Sequence, residues 1–428
     1  MPPIETVIIG AGGRGSVYGQ YALKHPQDMI VTAVAEPQED RRMRMATEHD
    51  IAPDHLYSDW EGLLANGKKI APTAINATMD RTHMESTIAL LNAGYDVLLE
   101  KPMSPVLEEN VRLVQVAEDQ GRLLQICHVL RFAPFWQTIR KIVQSGRLGR
   151  IISVDHRENL IYWHMAHSYV RGNWREEATS GPMILAKCCH DLDILHWILQ
   201  KDVVYLSSYG SLTYFRPENA PEGATLRCTD GCPVADTCKY YAPRRYASAE
   251  NAWPYNALTL TPTVEARMEA LRTGPYGRCV WHCDNDVVDH QTINMELEDG
   301  TTVTMTMQGQ GDEECRTMRY DGTKATLYAK FAYGNDKITI RDHLTGEEEQ
   351  VTFTVGEGGH GGGDMGIVQS FVNALRGEPD ESITTARESL ESHLLAFAAE
   401  ESRLNHTTIH MPTFRARVEA EARAKYQG

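Results

Sequence analysis

A chain of 428 residues exceeds what one hydrophobic core usually serves, and with 42% apolar residues it can fill two. A formal charge of −16 speaks against a nucleic-acid partner, because phosphate binding draws its affinity from clustered Lys and Arg. No apolar run reaches the ~18 residues of a membrane span and no basic-then-apolar leader opens the chain, so the sequence reads as cytoplasmic, its nine cysteines packing, binding metal or reacting.

The first apolar run, Thr6 to Gly10, passes straight into "GAGGRG" and then into a helix-compatible stretch, giving strand, glycine turn and helix. Gly10, Gly12 and Gly15 fit GxGxxG, in which small residues permit a tight turn, close approach to a pyrophosphate and packing of the helix on the strand; Gly13 and Arg14 lie in the same loop. The next strand, "MIVTAVAE", ends on Glu36, where a carboxylate can accept hydrogen bonds from the adenosine ribose and repel a 2′-phosphate. This favours NAD over NADP. Alternation continues through "TAINATM", "THMESTIALLNAG", "YDVLLEKP", a helix from about 107 to 121, and "RLLQICHVL", which predicts a doubly wound parallel sheet. Ligands of such sheets sit at the carboxyl ends of strands, so Thr78, His83, Glu100 and Lys101 join the candidate cofactor residues and His128 lies nearby.

The motifs "VIIGAGGRG", "AVAEP", "VLLEKPM", "HVLRFAPFW", "GRLGRIISV", "HDLDILHWILQ" and "GHGGGDMGIVQSFVNAL" follow one another along nearly the whole chain. In this order they resemble the Gfo/Idh/MocA group, named for glucose-fructose oxidoreductase and inositol dehydrogenase. The resemblance implies an α/β protein with a Rossmann domain over 1–126. Over 127–428 it implies an α+β domain on a large, open, mostly antiparallel sheet that binds substrate and supports a homo-oligomer, a dimer or tetramer. The later segments fit, alternating as strands with hairpin turns at "LEDG" and "LTGE".

Hydride transfer from a carbinol needs a group on the hydroxyl while the C–H faces the nicotinamide, and Lys101, its backbone set by Pro102, is the candidate. The resembling dehydrogenases add a histidine four residues after an aspartate. His190 matches the histidine, but Ala186 stands in the aspartate's place, with Lys187 as its nearest polar neighbour. For a sugar, glycoside or cyclitol, His128, Arg131, Tyr162, His164, Trp174, Arg175, Lys187 and His290 are candidate lining groups. Aromatics would stack on apolar sugar faces and the cations would take hydroxyls or an anionic substituent. His360 and Asp364, in the glycine-rich loop, are placed to cap the same cleft.

A loop-like insertion at about 216–280 carries Cys228, Cys232, Cys238 and Cys279, with Cys283 and His282 just beyond. Zinc takes four such ligands in a tetrahedron, so a structural zinc is expected there. The leading function implied is an NAD-dependent enzyme that moves a hydride at a ring carbon, with Lys101 and His190 handling the proton. The alternative is an NAD-dependent glycoside hydrolase that oxidises, eliminates, adds water and returns the hydride, sulfoquinovosidases being one such class. The third is a dinucleotide-dependent sensor without catalysis.

Overall fold

The computed structural model describes residues 1–65, 67–332 and 334–426. The first six strands are β1 (Ile4–Ile9), β2 (Met29–Ala35), β3 (Leu56–Tyr57), β4 (Thr73–Asn76), β5 (Asp96–Leu99) and β6 (Leu124–Ile126). They form one parallel sheet in the order β3-β2-β1-β4-β5-β6. Strands covered on two faces become continuous apolar runs, as "TVII" and "VLL" are. The order reverses between β1 and β4, and ligands of such sheets bind at that switch, outside the carboxyl ends. Here the glycine turn, Ala77-Thr78 and Glu100-Lys101 emerge together.

The second sheet holds β7 (Ile151–Ile161), β8 (Val203–Ser211), β9 (His290–Leu297), β10 (Thr302–Gly311), β11 (Cys315–Gly322), β12 (Ala325–Phe331), β13 (Lys337–Asp342), β14 (Glu348–Gln350) and β15 (Ile409–His410). Its order is β14-β13-β12-β11-β7-β10-β9-β8-β15, antiparallel except for β7 beside β10. Along β7, Val154, His156, Glu158 and Leu160 are buried while Asp155 and Arg157 face outward, the period-two pattern of a sheet covered on one face. The helices Cys189–Leu199, Pro134–Gln144 and Ala386–Asn405 supply the cover, packing on one another over the inner face.

The chain does not divide cleanly at residue 126. Helix Gly363–Leu375 returns to the first sheet, where Ile367, Val368, Phe371 and Val372 share an apolar cluster with Ile8 and Tyr18. Ile126 N donates to Thr384 O (2.7 Å), and Thr384 Oγ1 donates back to Ile126 O (2.6 Å). A buried ion pair fixes the segment that leaves β6 to the helix Cys189–Leu199. Arg131, just after β6, donates from Nε to Asp193 Oδ2 (2.7 Å) and from Nη2 to Asp193 Oδ1 (2.6 Å). Both side chains are almost fully enclosed. Removing one partner of such a pair strands the other charge, so Arg131→Met should lower the unfolding free energy by about 3–5 kcal/mol. Thermal and urea unfolding check this, and an unchanged midpoint would contradict it.

Candidate active site

Glycine is required at two positions of the first turn. Gly10 has φ +84°, and a Cβ there would collide with the Ala77 carbonyl; a Cβ on Gly15 would overlap the carbonyl oxygen of Gly10. Above Gly13 the space is open. Helix Gly13–Lys24 begins without a side-chain cap on Gly12, leaving its first amides and dipole for an anion. Glu36 is buried at the end of β2, accepting from Ala11 N at Oε2 (2.7 Å) and Gln38 N at Oε1 (2.9 Å). The loop and its carboxylate thus form a cradle that fits a dinucleotide.

Arg14 leaves this loop to join three segments. Its Nε donates to Glu100 Oε1 (2.5 Å), and its Nη2 donates to Tyr18 Oη (2.6 Å) and Asp364 Oδ1 (2.7 Å). Glu100 also accepts from Tyr18 Oη (2.6 Å) and Lys101 N (2.8 Å). Predicted as cofactor ligands, Arg14 and Glu100 therefore spend their charges on the frame. Likewise His83 is buried between the carbonyls of Pro102 (2.8 Å) and Thr78 (3.2 Å), and Thr78 Oγ1 donates to Asn76 Oδ1 (2.9 Å). The Lys101 ammonium reaches the carbonyl of Ala186 at 2.9 Å, in the turn before His190.

His190 opens the helix Cys189–Leu199, is buried, and has no hydrogen-bond partner at Nδ1. Its ring lies 5.7 Å from that of His128 and 6.0 Å from that of His360. Burial, then the charge of Lys101, holds its basicity well below the ordinary histidine value. Among the described residues no carboxylate is hydrogen-bonded to its Nδ1. Asp191, the next residue, turns the other way and accepts from Arg316 Nε (2.7 Å), with His156 Nε2 also at 2.7 Å. The glycine-rich loop does reach this cleft: His360 Nδ1 lies 2.9 Å from Asp364 Oδ1. Burial opposes the Asp364 charge, but the His360 hydrogen bond and Arg14 outweigh it and keep the carboxyl well below its usual range.

The cationic candidates for substrate are already paired. Lys187 Nζ stands 3.2 Å from Glu158 and 3.3 Å from Glu314, and His164 Nδ1 is 3.0 Å from Glu314 Oε1. Arg175 is held by Asp284 (2.7 Å) and Glu176 (2.8 Å), and Arg131 by Asp193. Each of these expected substrate cations thus already has a carboxylate partner. His128 is sealed in the core beside Ser392 and His393, and His290 is half-exposed against Asp289 (2.8 Å). Trp174 Nε1 donates to buried Asp80 (3.0 Å), and the Tyr162 ring meets Tyr240 edge-on. Sequence reading missed Asp80, Glu158, Glu314 and Tyr169, a buried phenol within the field of Lys187. The run of Glu158 facing Lys187 has no local signature.

The zinc expectation is also corrected. Among the described residues no three His, Cys, Asp or Glu side chains are grouped to hold one ion, and none of the cysteines is in a disulfide. Cys228, Cys232, Cys238 and Cys279 do line one cavity, but it is only about 10 Å³ and Arg171 shares it, its Nη2 3.6 Å from Cys228 Sγ. A cation already lies against these thiols, and burial pushes the Cys279 thiol up to about 11. Among the described residues no helix is long and apolar enough to cross a membrane.

Residues 4–128 match the family described as an oxidoreductase family with an NAD-binding Rossmann fold, and residues 140–411 match its C-terminal alpha/beta domain. The YteT protein of Bacillus subtilis is 26% identical over 313 residues, 69% of this chain and 71% of that one. Inositol 2-dehydrogenase 2 of Saccharopolyspora erythraea is 28% identical over 204 residues, 47% of this chain and 56% of its own length, so the chain spans about half of that relative. In fold, the chain is similar to the WlbA dehydrogenase of Bordetella pertussis, solved with NADH and UDP-GlcNAcA. The TM-score is 0.64 at 16% identity over 95% of this chain and 98% of that one.

The buried histidines make stability depend on pH. Burial pulls His128 from 6.5 down to about 4 and His393 down to about 3, so the neutral rings are the forms that fold. Their contribution is complete above the unfolded value near 6.5 and is lost as pH falls toward the folded values, about 2 kcal/mol each by about pH 5. Thermal midpoints should fall between about pH 7 and 5, before ordinary carboxylates protonate. A midpoint flat over that window would refute the assignment of neutral, buried rings.

Proposed function

The chain belongs to the Gfo/Idh/MocA oxidoreductase family, and from that premise we propose that it uses NAD to move a hydride at a ring carbon of an uncharged sugar, glycoside or cyclitol. One observation carries the reading: Lys101 and an uncharged His190 converge at the carboxyl end of β5, beside the glycine cradle. When bound, the nicotinamide supplies the hydride acceptor. Glu36 at the ribose position supports NAD over NADP, since a carboxylate there repels a 2′-phosphate.

In this reading the Lys101 ammonium, steered by the Ala186 carbonyl, donates to the reacting oxygen and stabilises negative charge as the proton leaves. His190, neutral, takes that proton. Trp174, fixed by Asp80, and Tyr169 offer the apolar face and hydroxyl that orient a ring. Pairing of Lys187, Arg175 and Arg131 supports an uncharged substrate over an anionic one.

A second reading, the NAD-dependent glycoside hydrolase, is favoured by the absence, among the described residues, of a carboxylate hydrogen-bonded to His190 Nδ1. An imidazolium formed without that support is a strong acid and returns its proton readily, as a cycle of transient oxidation requires. Sugars and glycosides offered with NAD separate the two: net NADH marks the dehydrogenase, and aglycone release without net NADH the hydrolase. In either case Lys101→Ala and His190→Ala should lose about 10²–10⁴-fold in turnover while still binding NADH. Near wild-type turnover in a folded variant would remove these residues from the site.

A further inference from the structure

His190 is buried, so a proton that it takes from substrate must leave through its neighbours before the next turnover. Two rings stand beside it, His128 at 5.7 Å and His360 at 6.0 Å. His128 is sealed in the core and offers no way out. The Lys101 ammonium has no lone pair to accept with, and Asp191 and Asp193 are taken by Arg316 and Arg131. His360 differs from all of these: its side chain is 32% exposed, so it borders solvent as well as His190.

The loop that carries His360 is tightly built. A Cβ on Gly359 would overlap Asp364 Oδ2, and one on Gly363 would collide with the carbonyl of Val129, so glycine lets the loop close on both. His360 itself lies at φ +52°, in the left-handed region that a residue with a Cβ occupies at a cost and that concentrates at functional sites. Its Nδ1, 2.9 Å from Asp364 Oδ1, donates to that carboxylate and leaves the lone pair on Nε2. The aspartate–histidine pair expected at 186 and 190 is thus present at His360 and Asp364, four residues apart in reverse order. The charged groups facing His360 are Asp364 and Arg14 from the side of the parallel sheet, and Arg316 from β11. Burial lowers the basicity of both rings, but Asp364 works against it at His360, whereas Lys101 and His128 add to it at His190. A proton on His190 therefore runs toward His360.

We propose that His360, oriented by Asp364, is the proton exit of the cleft, receiving through one intervening water the proton that His190 takes from the substrate hydroxyl and passing it to solvent. The proposal rests on the dehydrogenase reading above, in which each turnover leaves one proton behind. The C–H hydride carries two electrons to NAD, the hydroxyl proton goes to His190, and that proton moves on to His360 and water. One NADH and one proton appear for each carbonyl formed. His360 acts through His190 rather than on the substrate, so its loss separates proton release from hydride transfer.

Stopped-flow mixing of the full-length protein with NAD and the sugars, glycosides and cyclitols tests this, reading NADH by absorbance and the proton by phenol red in weak buffer. His360→Asn tolerates the left-handed backbone and keeps a donor for Asp364 but cannot take up a proton. His360→Gln is the second variant, and circular dichroism verifies folding of both. For each substrate that yields net NADH, wild type should release its proton together with the NADH. In the variants the NADH of the first turnover should form ahead of the proton, with steady turnover at least about ten-fold slower and restored by added imidazole. Proton and NADH appearing together in both folded variants, or an equal slowing of both that imidazole does not restore, would overturn the proton exit and leave the dehydrogenase reading standing. Absence of net NADH from wild type with every substrate would overturn that reading and the proton exit with it.

Discussion

Arg14 holds together three segments that the chain delivers from distant positions: the glycine turn, the end of β5 at Glu100, and the glycine-rich loop at Asp364. Two carboxylates so enclosed would not stay ionised alone, because desolvation of each costs several kcal/mol unless a counter-charge and hydrogen bonds offset it. One guanidinium, the Tyr18 hydroxyl, the Lys101 amide and His360 supply that offset. The consequence is geometric. Glu100 fixes the backbone from which Lys101 springs, and Asp364 holds His360 over His190.

A second buried network does for the open sheet what Arg14 does for the parallel one. Glu158 on β7 and Arg316 on β11 lie opposite each other in register, and Asp191 descends from the covering helix to meet Arg316 and His156. Lys187 completes the set on Glu158. By seating the start of the helix Cys189–Leu199 on the sheet, these charges fix where His190 stands. They also turn Asp191, the carboxylate next to His190, away to other partners. A neutral ring beside an ammonium is the arrangement that results, and its chemistry follows from that asymmetry.

Much of this frame was legible because its signals are local. Gly10 and Gly15 are demanded by the turn itself, Glu36 ends a strand whose composition announces it, and period-two burial along β7 follows its alternation. The charge partners were not legible. Arg131 meets Asp193 from 62 residues away and Arg316 meets Asp191 from 125, separations at which spacing carries no information about contact. The same limit misled the reading of the cysteines. Their spacing suggested four ligands for one metal, whereas Arg171, 57 residues upstream of Cys228, lines the same cavity and lies against Cys228. Lys187 looked like a free cation beside His190 because neither Glu158 nor Glu314 is near it in sequence.

The central claim is that the Lys101–His190 cleft passes a hydride between a substrate ring carbon and a dinucleotide held in the glycine cradle. The most direct measurement uses perdeuterated sugars, glycosides and cyclitols with NAD, quenched within a single turnover, and mass spectrometry of the nicotinamide. For the substrate that is converted, one deuterium should appear on the reduced nicotinamide in wild type and be absent in Lys101→Ala. Conversion of a substrate by wild type with the nicotinamide unlabelled throughout would contradict the account.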